Sequence, residues 1–369
     1  MIKMKYRLAF LSLVFYAVCA ASTASQTPDV FKRKNIEDKM LLVAKWQLAH
    51  PNHELFDWTN GALYAGIFAA FETTRSPDLM KALTEMGEAN KWRPGSRFDH
   101  ADDIAISQTY IDLYRLKKDK KMIGPTIRSI DRLINEKSVE AEKHGITWWW
   151  CDALFMGPPT LAKLARVTGD KKYLTLNDRL FQQTYDLLYD KDERLYARDA
   201  SYLVGKTGEG KREANGKKVF WSRGNGWVAG GLARLLSELP KDYPRRKFYE
   251  NQYREIMGRV IDLQQSDGLW RSSLLDPGSY PGGESSGSGF HIYAMAWGIN
   301  NGLLDRKTYL PAVKKAWTAL NGLVHSDGKV GWTQPIGADP RRNFNAESWE
   351  VYGAGAFLLA GSEVAKIKI

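Results

Sequence analysis

A chain of 369 residues with 44% hydrophobic and 12% aromatic side chains is long enough for one large domain or two ordinary ones, and it needs no small-protein staples to hold a core. Its formal charge of +11 favours an acidic partner, yet there is no long Lys/Arg block and no recognisable nucleic-acid motif. With nucleic acid set aside, 13 Trp and 17 Tyr are better matched to a saccharide cleft.

The chain opens on Lys3, Lys5 and Arg7, an apolar run over 8–18, and small residues at 18–20 and 22–24. This pattern predicts a secretory signal over residues 1–24, so that the mature chain is exported, periplasmic or secreted. Its removal takes three positive charges, lowering +11 to +8, and takes Cys19, leaving Cys151 with no partner in the chain. No disulfide framework is therefore expected. No other stretch approaches the roughly 20 apolar residues of a membrane span. No domain boundary stands out over 25–369, which reads as one catalytic domain.

Apolar periodicity and stop signals predict twelve helices, over residues 29–50, 59–74, 77–90, 102–117, 124–143, 159–168, 171–189, 223–239, 245–265, 285–301, 308–323 and 345–364. No parallel-strand series lies between them. The even-numbered helices are rich in small residues, such as Gly61, Ala62, Ala65, Gly66, Ala69 and Ala70 in the second or Gly353, Ala354, Gly355 and Ala356 in the last. The odd-numbered ones are longer and more charged. Six such hairpins imply an all-α toroid with an inner and an outer ring.

Aromatic and ionisable residues recur just ahead of the inner helices. Asp57-Trp58-Thr59-Asn60, Phe98-Asp99-His100-Ala101-Asp102-Asp103, Trp148-Trp149-Trp150-Cys151-Asp152, Trp221-Ser222-Arg223, Glu284-Ser285-Ser286 and Asn345-Ala346-Glu347-Ser348 occupy equivalent places. In a closed double ring those places share one rim and converge on one cleft. Asp267-Gly268-Leu269-Trp270 and Asp327-Gly328 with Trp332 form a weak internal repeat. Helix capping explains some of these Asp, Ser and Asn residues but not the tryptophans beside them. The Gly/Lys-rich loop 204–218 reads either as a rim flap or as a plain surface loop, and 276–289 as a segment wrapping toward the same face.

Within that cleft Asp152 follows three tryptophans and precedes Ala153-Leu154-Phe155-Met156, surroundings that disfavour the ionised carboxylate and suit a general acid. The competing reading is a helix cap. Asp103 is the second carboxylate, with Asp102 adjacent; one should cap a helix while the other faces the cleft. His100 beside them is a further lining candidate. In Trp221-Ser222-Arg223-Gly224-Asn225-Gly226-Trp227, an arginine between indoles at a helix start suits a ring bearing a carboxylate, the alternative being a structural ion pair. His50 and His53 are separated by Pro51 and read as a surface turn, and His291 could equally be a core histidine. There is no phosphate loop, Cys/His cluster or serine elbow, so neither cofactor nor metal is expected.

Those blocks, Trp221 to Trp227, Trp150-Cys151-Asp152-Ala153-Leu154-Phe155-Met156 and His100-Ala101-Asp102-Asp103, together with Glu284-Ser285-Ser286-Gly287 and Trp297-Gly298-Ile299-Asn300-Asn301-Gly302, resemble glycoside hydrolase family 105, which is related to family 88. The likeness spans residues 35–364. It implies an (α/α)6 barrel and removal of a 4,5-unsaturated uronic acid from lyase-generated oligosaccharides: an acid protonates C4, water adds at C5, and the hemiketal collapses. Under it Asp152 matches the acid and Asp103 the second aspartate, while Arg223 and Trp221 match residues that hold the uronate, with Trp227, Trp150, Asp102 and His100 as further contacts. The expected partner is an acidic oligosaccharide, bound by a monomer or small homo-oligomer, with the sugar beyond the uronate undetermined. Competing readings are another (α/α)6 enzyme, an inverting glycosidase or a polysaccharide lyase, and a saccharide-binding toroid without chemistry.

Overall fold

Helices appear where the twelve periodic runs lie, in a computed structural model that describes residues 29–205 and 210–368. The expected signal at 1–24 and the middle of the 204–218 loop lie outside the described residues. In chain order the helices are α1 (Arg33–Ala49), α2 (Trp58–Thr74), α3 (Pro77–Ala89), α4 (Ala101–Ile104), α5 (Ser107–Lys117), α6 (Gly124–Asn135), α7 (Val139–His144), α8 (Ala153–Met156), α9 (Pro158–Thr168), α10 (Lys172–Leu188), α11 (Ser222–Glu238), α12 (Arg246–Asp262), α13 (Ser285–Asn300), α14 (Arg306–Asn321) and α15 (Val351–Val364). One two-residue hairpin, β1 (Tyr189–Asp190) with β2 (Leu195–Tyr196), pairs antiparallel, Tyr189 opposite Tyr196.

Two expected runs are subdivided and a third is shortened, each for a local reason. The run at 102–117 becomes α4 and α5, but Ala105 and Ile106 keep right-handed φ of −58° and −61°, so the chain bends without leaving helical space. The run at 124–143 ends early because the Ser138 hydroxyl accepts from Ala141 N and caps a new helix, α7. The last helix starts at Val351 because Asn345 and Ser348 close a turn of their own: Ser348 N donates to Asn345 O and Glu347 N to Asn345 Oδ1.

Packing follows the small-residue pattern. The helices α2, α5, α9, α11, α13 and α15 contact one another in that order, and α15 returns to α2 to close the inner ring of an (α/α)6 barrel. The helices α1, α3, α6, α10, α12 and α14 lie outside. The inner α13 and α15 are buried on nearly every face, whereas outer α6 buries only Thr126, Ile130 and Leu133. Closure needs bare backbone: a methyl on Gly66 would lie 2.5 Å from Gly355 O, and one on Gly355 2.5 Å from Ala62 O. Large side chains then fill the ring; Trp227 is wedged among Phe155, Phe290, Trp58 and Tyr352. Full burial of such a side chain contributes roughly 2–3 kcal/mol.

The two mouths of the barrel differ. At one, the C-terminal ends of inner helices carry a buried ionic network: Lys163 bonds Asp112, and Arg115 donates to both Glu238 oxygens at 2.8 and 2.6 Å. A cavity of about 690 Å³ opens beyond it. At the other mouth lie the lead-ins to the inner helices.

Candidate active site

Asp152 owes its position to a short backbone pairing. Trp150 bridges Asp199, and Cys151 N donates to Arg198 O at 2.9 Å, which turns the chain into α8. The Asp152 side chain caps nothing, although its residue stands directly before α8. Its carboxyl is buried, 8% exposed, and Oδ1 accepts from the Cys151 thiol at 3.2 Å. Gly224 explains part of the Trp221 to Trp227 motif: a Cβ there would meet the Trp221 ring at 3.0 Å, Cys151 Sγ at 3.1 Å and Asp152 Oδ1 at 3.6 Å. The start of α11 thus lies against the carboxyl. Burial pushes Asp152 above the usual carboxylate range, against the charge of Arg198, the thiol and the charge of Arg223.

The carboxylate that joins Asp152 is Asp102. Burial, and next the charge of Asp152, push it up to about 8, with Arg97 opposing and Asp57 and Asp103 adding. It keeps about a fifth of its side-chain surface open, 19%. Asp103, expected as the second carboxylate, is turned elsewhere. Its Oδ1 takes Arg97 Nε at 2.9 Å and Nη2 at 2.5 Å, its Oδ2 takes Arg97 N at 2.8 Å, and its own carbonyl takes Gly95 N. Consecutive residues entering a helix point about 100° apart, so one of the pair clamps the 95–97 loop while the other reaches the cleft. Neither caps α4. His100 stays with Asp102: its Nδ1 is 3.7 Å from Asp102 Oδ2 and its ring 4.4 Å from that of Trp150. Burial first, then the charge of Arg97, lower its pKa to about 4, so the imidazole is neutral near pH 7.

Arg223 departs from the grip expected of it. It is fully buried, with its guanidinium 4.4 Å from the Trp221 ring and 4.7 Å from the Tyr352 ring. Nη1 donates to Gln334 O at 2.5 Å and Nη2 to Pro335 O at 3.0 Å, so both forks already hold main-chain acceptors. Among the described residues no carboxylate lies within ion-pair distance of it, and Nε has no partner. Its charge reaches the cleft; a bidentate fork does not. Trp227 is likewise core, 0% exposed beneath the cleft, and Trp150 and Trp221 are buried at 3% and 2%.

Trp58, Trp149 and Trp332 are tryptophans that stay partly open. Trp58 stacks on Tyr352 at 5.4 Å, and the Tyr352 hydroxyl donates to the same Gln334 O that receives Arg223. Gln334 is the hub of a strap over this wall: its Oε1 accepts from Trp221 Nε1 and Arg341 N, each at 3.3 Å, and its Nε2 donates to Asp339 O. The Asn345 to Ser348 lead-in does not join the cleft; Glu347 is exposed and pairs with Lys329. Arg198, Gln334 and Tyr352 escaped sequence reading because they stand in no motif; only proximity to Asp152 and Arg223 in space marks them. His291 is a buried core residue, 3.3 Å from Ser222 Oγ, and His53 pairs with Glu350 at the surface. Among the described residues no group of three His, Cys, Asp or Glu side chains is placed to hold a metal, and no helix is long and apolar enough to cross a membrane.

A family model described as Glycosyl Hydrolase Family 88 matches residues 33–368. A curated relative from Formosa agariphila, named unsaturated 3S-rhamnoglycuronyl hydrolase, is 46% identical over 374 residues, 98% of each chain. Among solved structures, a family 88 glycosyl hydrolase from Bacteroides vulgatus superposes with a TM-score of 0.84 at 29% identity, over 91% of this chain and 100% of that one. Another, titled a polysaccharide lyase, gives 0.83 at 32% identity, over 90% and 97%.

Proposed function

From the premise that this chain belongs to glycosyl hydrolase family 88, we propose that it removes a 4,5-unsaturated uronic acid from the non-reducing end of oligosaccharides left by a polysaccharide lyase. It is a glycosidase; the bond in question joins the uronate to rhamnose, as the name of the Formosa relative suggests. On the same reading the protein is exported, with residues 1–24 removed, and meets its substrate outside the cytoplasm.

One observation carries the reading: Asp152 and Asp102, two carboxyls that burial pushes toward the protonated form, act on one another, and the buried guanidinium of Arg223, whose charge reaches Asp152, has no acidic partner. A buried cation without a counter-ion is costly. A sugar carboxylate entering the cleft supplies that counter-ion, and its negative charge in turn strengthens the hold of the carboxyl pair on a proton. The pair enters the reaction with a proton between them. Asp152 delivers it to C4 as the C4–C5 double bond breaks; C5 becomes cationic, stabilised by the ring oxygen. Water adds at C5 and gives its proton back to the Asp152 carboxylate, Asp102 and neutral His100 orienting the water and ring hydroxyls. The hemiketal opens and the neighbouring sugar leaves. No covalent glycosyl-enzyme is formed.

Reaction in D₂O tests this. Early product should carry a single deuterium on one face of C4. Deuterium scattered over both faces would mean that the alkene rearranged in solution after ordinary hydrolysis at C1, and would overturn the proposal. The lyase title of one solved relative keeps elimination as the second reading; there the alkene would be made, not consumed.

A further inference from the structure

The positive charge of this chain is not spread evenly over the barrel. At the mouth away from the cleft the inner helices end and the outer ones begin. A helix start favours acidic side chains, because its free N–H groups carry partial positive charge. Of the six outer helices only α3 follows that preference, with Asp78 in its first turn. The other five open on basic pairs or runs: Lys32 to Lys34 at α1, Lys120-Lys121 just ahead of α6, Lys171-Lys172 at α10, Arg245 to Lys247 at α12 and Arg306-Lys307 at α14. Helix electrostatics works against this arrangement, so capping does not account for it.

Part of the charge is answered within the chain. Arg33 pairs with Glu37, Lys34 with Asp38, Lys172 with Asp131 and Arg246 with Glu250. One lysine at each start is left over. Lys32, Lys120, Lys171, Lys247 and Lys307 are exposed, and among the described residues no carboxylate lies within ion-pair distance of any of them. The cavity at the centre of the same mouth continues the pattern, with six cationic side chains lining it against four carboxylates.

We propose that this mouth is a docking surface for an acidic polysaccharide longer than the oligosaccharides that enter the cleft. The inference goes beyond the uronyl hydrolase reading and takes from it the choice of a saccharide over other polyanions. A single exposed lysine holds an anion weakly, so five of them around a rim suit a partner that carries many charges along one chain and meets several together. A small anion reaches only one. A membrane surface also needs apolar side chains to bury, and of the four large apolar side chains exposed among the described residues Leu116 alone, in the last turn of α5, belongs to this mouth. Asp57, Asp99, Asp102, Asp103 and Asp152 gather at the opposite mouth. A long polyanion is therefore drawn to the back of the barrel, and the cleft stays open to short chains.

The test measures binding to polygalacturonate immobilised on beads, with neutral dextran beads as the control. Wild type should bind the acidic polymer, and Lys120→Glu/Lys171→Glu/Lys247→Glu should bind it at least about tenfold more weakly. Lys137→Glu/Lys143→Glu/Lys191→Glu makes the same change of net charge at exposed positions of the cleft-side mouth and should stay within roughly threefold of wild type. Wild-type binding should also weaken by about fivefold or more between roughly 0.05 and 0.2 M NaCl. The kcat/KM of the first triple variant on a short unsaturated disaccharide should stay within about twofold of wild type. No preference for the acidic beads, or equal losses in the two triple variants, overturns the docking surface. So does release of the bound polymer by a short saturated uronide that fills the cleft. Tighter binding to duplex DNA or to phosphatidylserine vesicles, at equal charge concentration, overturns the choice of a saccharide. If no unsaturated compound is consumed while the polymer binding and its loss in the first triple variant persist, the hydrolase reading falls and the docking surface stands.

Discussion

Asp102 lies in the field of Asp152, and that charge, after burial itself, lifts the Asp102 carboxyl to about 8 while the next residue, Asp103, is spent on Arg97. Three neighbouring aspartates should therefore fail differently. Asp152→Asn removes the proton donor and should cost about 10³-fold in kcat, within the span usual for general acids. Asp102→Asn should cost about 10²-fold, with the fold intact. Asp103→Asn should act on stability, loosening the 95–97 loop by roughly 1–3 kcal/mol. Kinetics beside a urea melt of each variant checks the ordering; a larger kcat loss for Asp103→Asn than for Asp102→Asn would contradict it.

The pH profile follows from the same pair. Activity needs a proton held between two carboxyls, so kcat/KM should fall as pH rises through the higher apparent value, near 8. A descending limb near the ordinary carboxylate value would contradict this. Stability runs the same way. Asp102 is raised from 3.8 when unfolded to about 8 when folded, so the folded state binds the extra proton and loses stability as pH climbs between those values. Asp102→Asn should flatten that decline in a melting series.

Cys151 offers a finer adjustment. Its thiol donates to Asp152 Oδ1 and favours the charged carboxylate. Cys151→Ala removes the donor and should move the basic limb of kcat/KM to higher pH, whereas Cys151→Ser, a stronger donor, should move it lower. Shifts in the same direction for both would mean that the thiol acts by packing against Gly224.

At the far mouth, Lys163 is 7% exposed between Asp112 and Glu238. Lys163→Ala leaves both carboxylates buried with less counter-charge and should destabilise the protein by about 3–5 kcal/mol in chemical denaturation, with kcat unchanged until the fold gives way. Burial alone would raise Glu238, but bonds from Arg115 and the charge of Lys163 hold it down at about 2, from 4.5. Its contribution is complete above 4.5 and disappears as pH falls toward 2. Acid unfolding in that window should shift upward in Arg115→Ala.

The ring was legible because closure demands small residues at fixed places: Gly66 and Gly355 are visible in the sequence for the reason that they touch in space. Asp152 was legible because three tryptophans precede it. The order of Asp102 and Asp103 was not, since a one-residue choice of helix register leaves no trace in composition. Nor was the burial of Arg223, which depends on Gln334 and Pro335, more than a hundred positions away. Loops of a toroid meet only at its rim, and their pairings are set by closure, not by local pattern.

The central claim is that a proton held at Asp152 is delivered to an alkene carbon. It is tested most directly by giving wild-type and Asp152→Asn protein a matched pair of uronides, one 4,5-unsaturated and one saturated, and following both the ultraviolet absorbance of the conjugated alkene and the release of the neighbouring sugar. The account predicts that wild type bleaches the absorbance in step with sugar release from the unsaturated compound alone, and that Asp152→Asn does neither. Sugar released from the saturated uronide, or absorbance that rises, would contradict it.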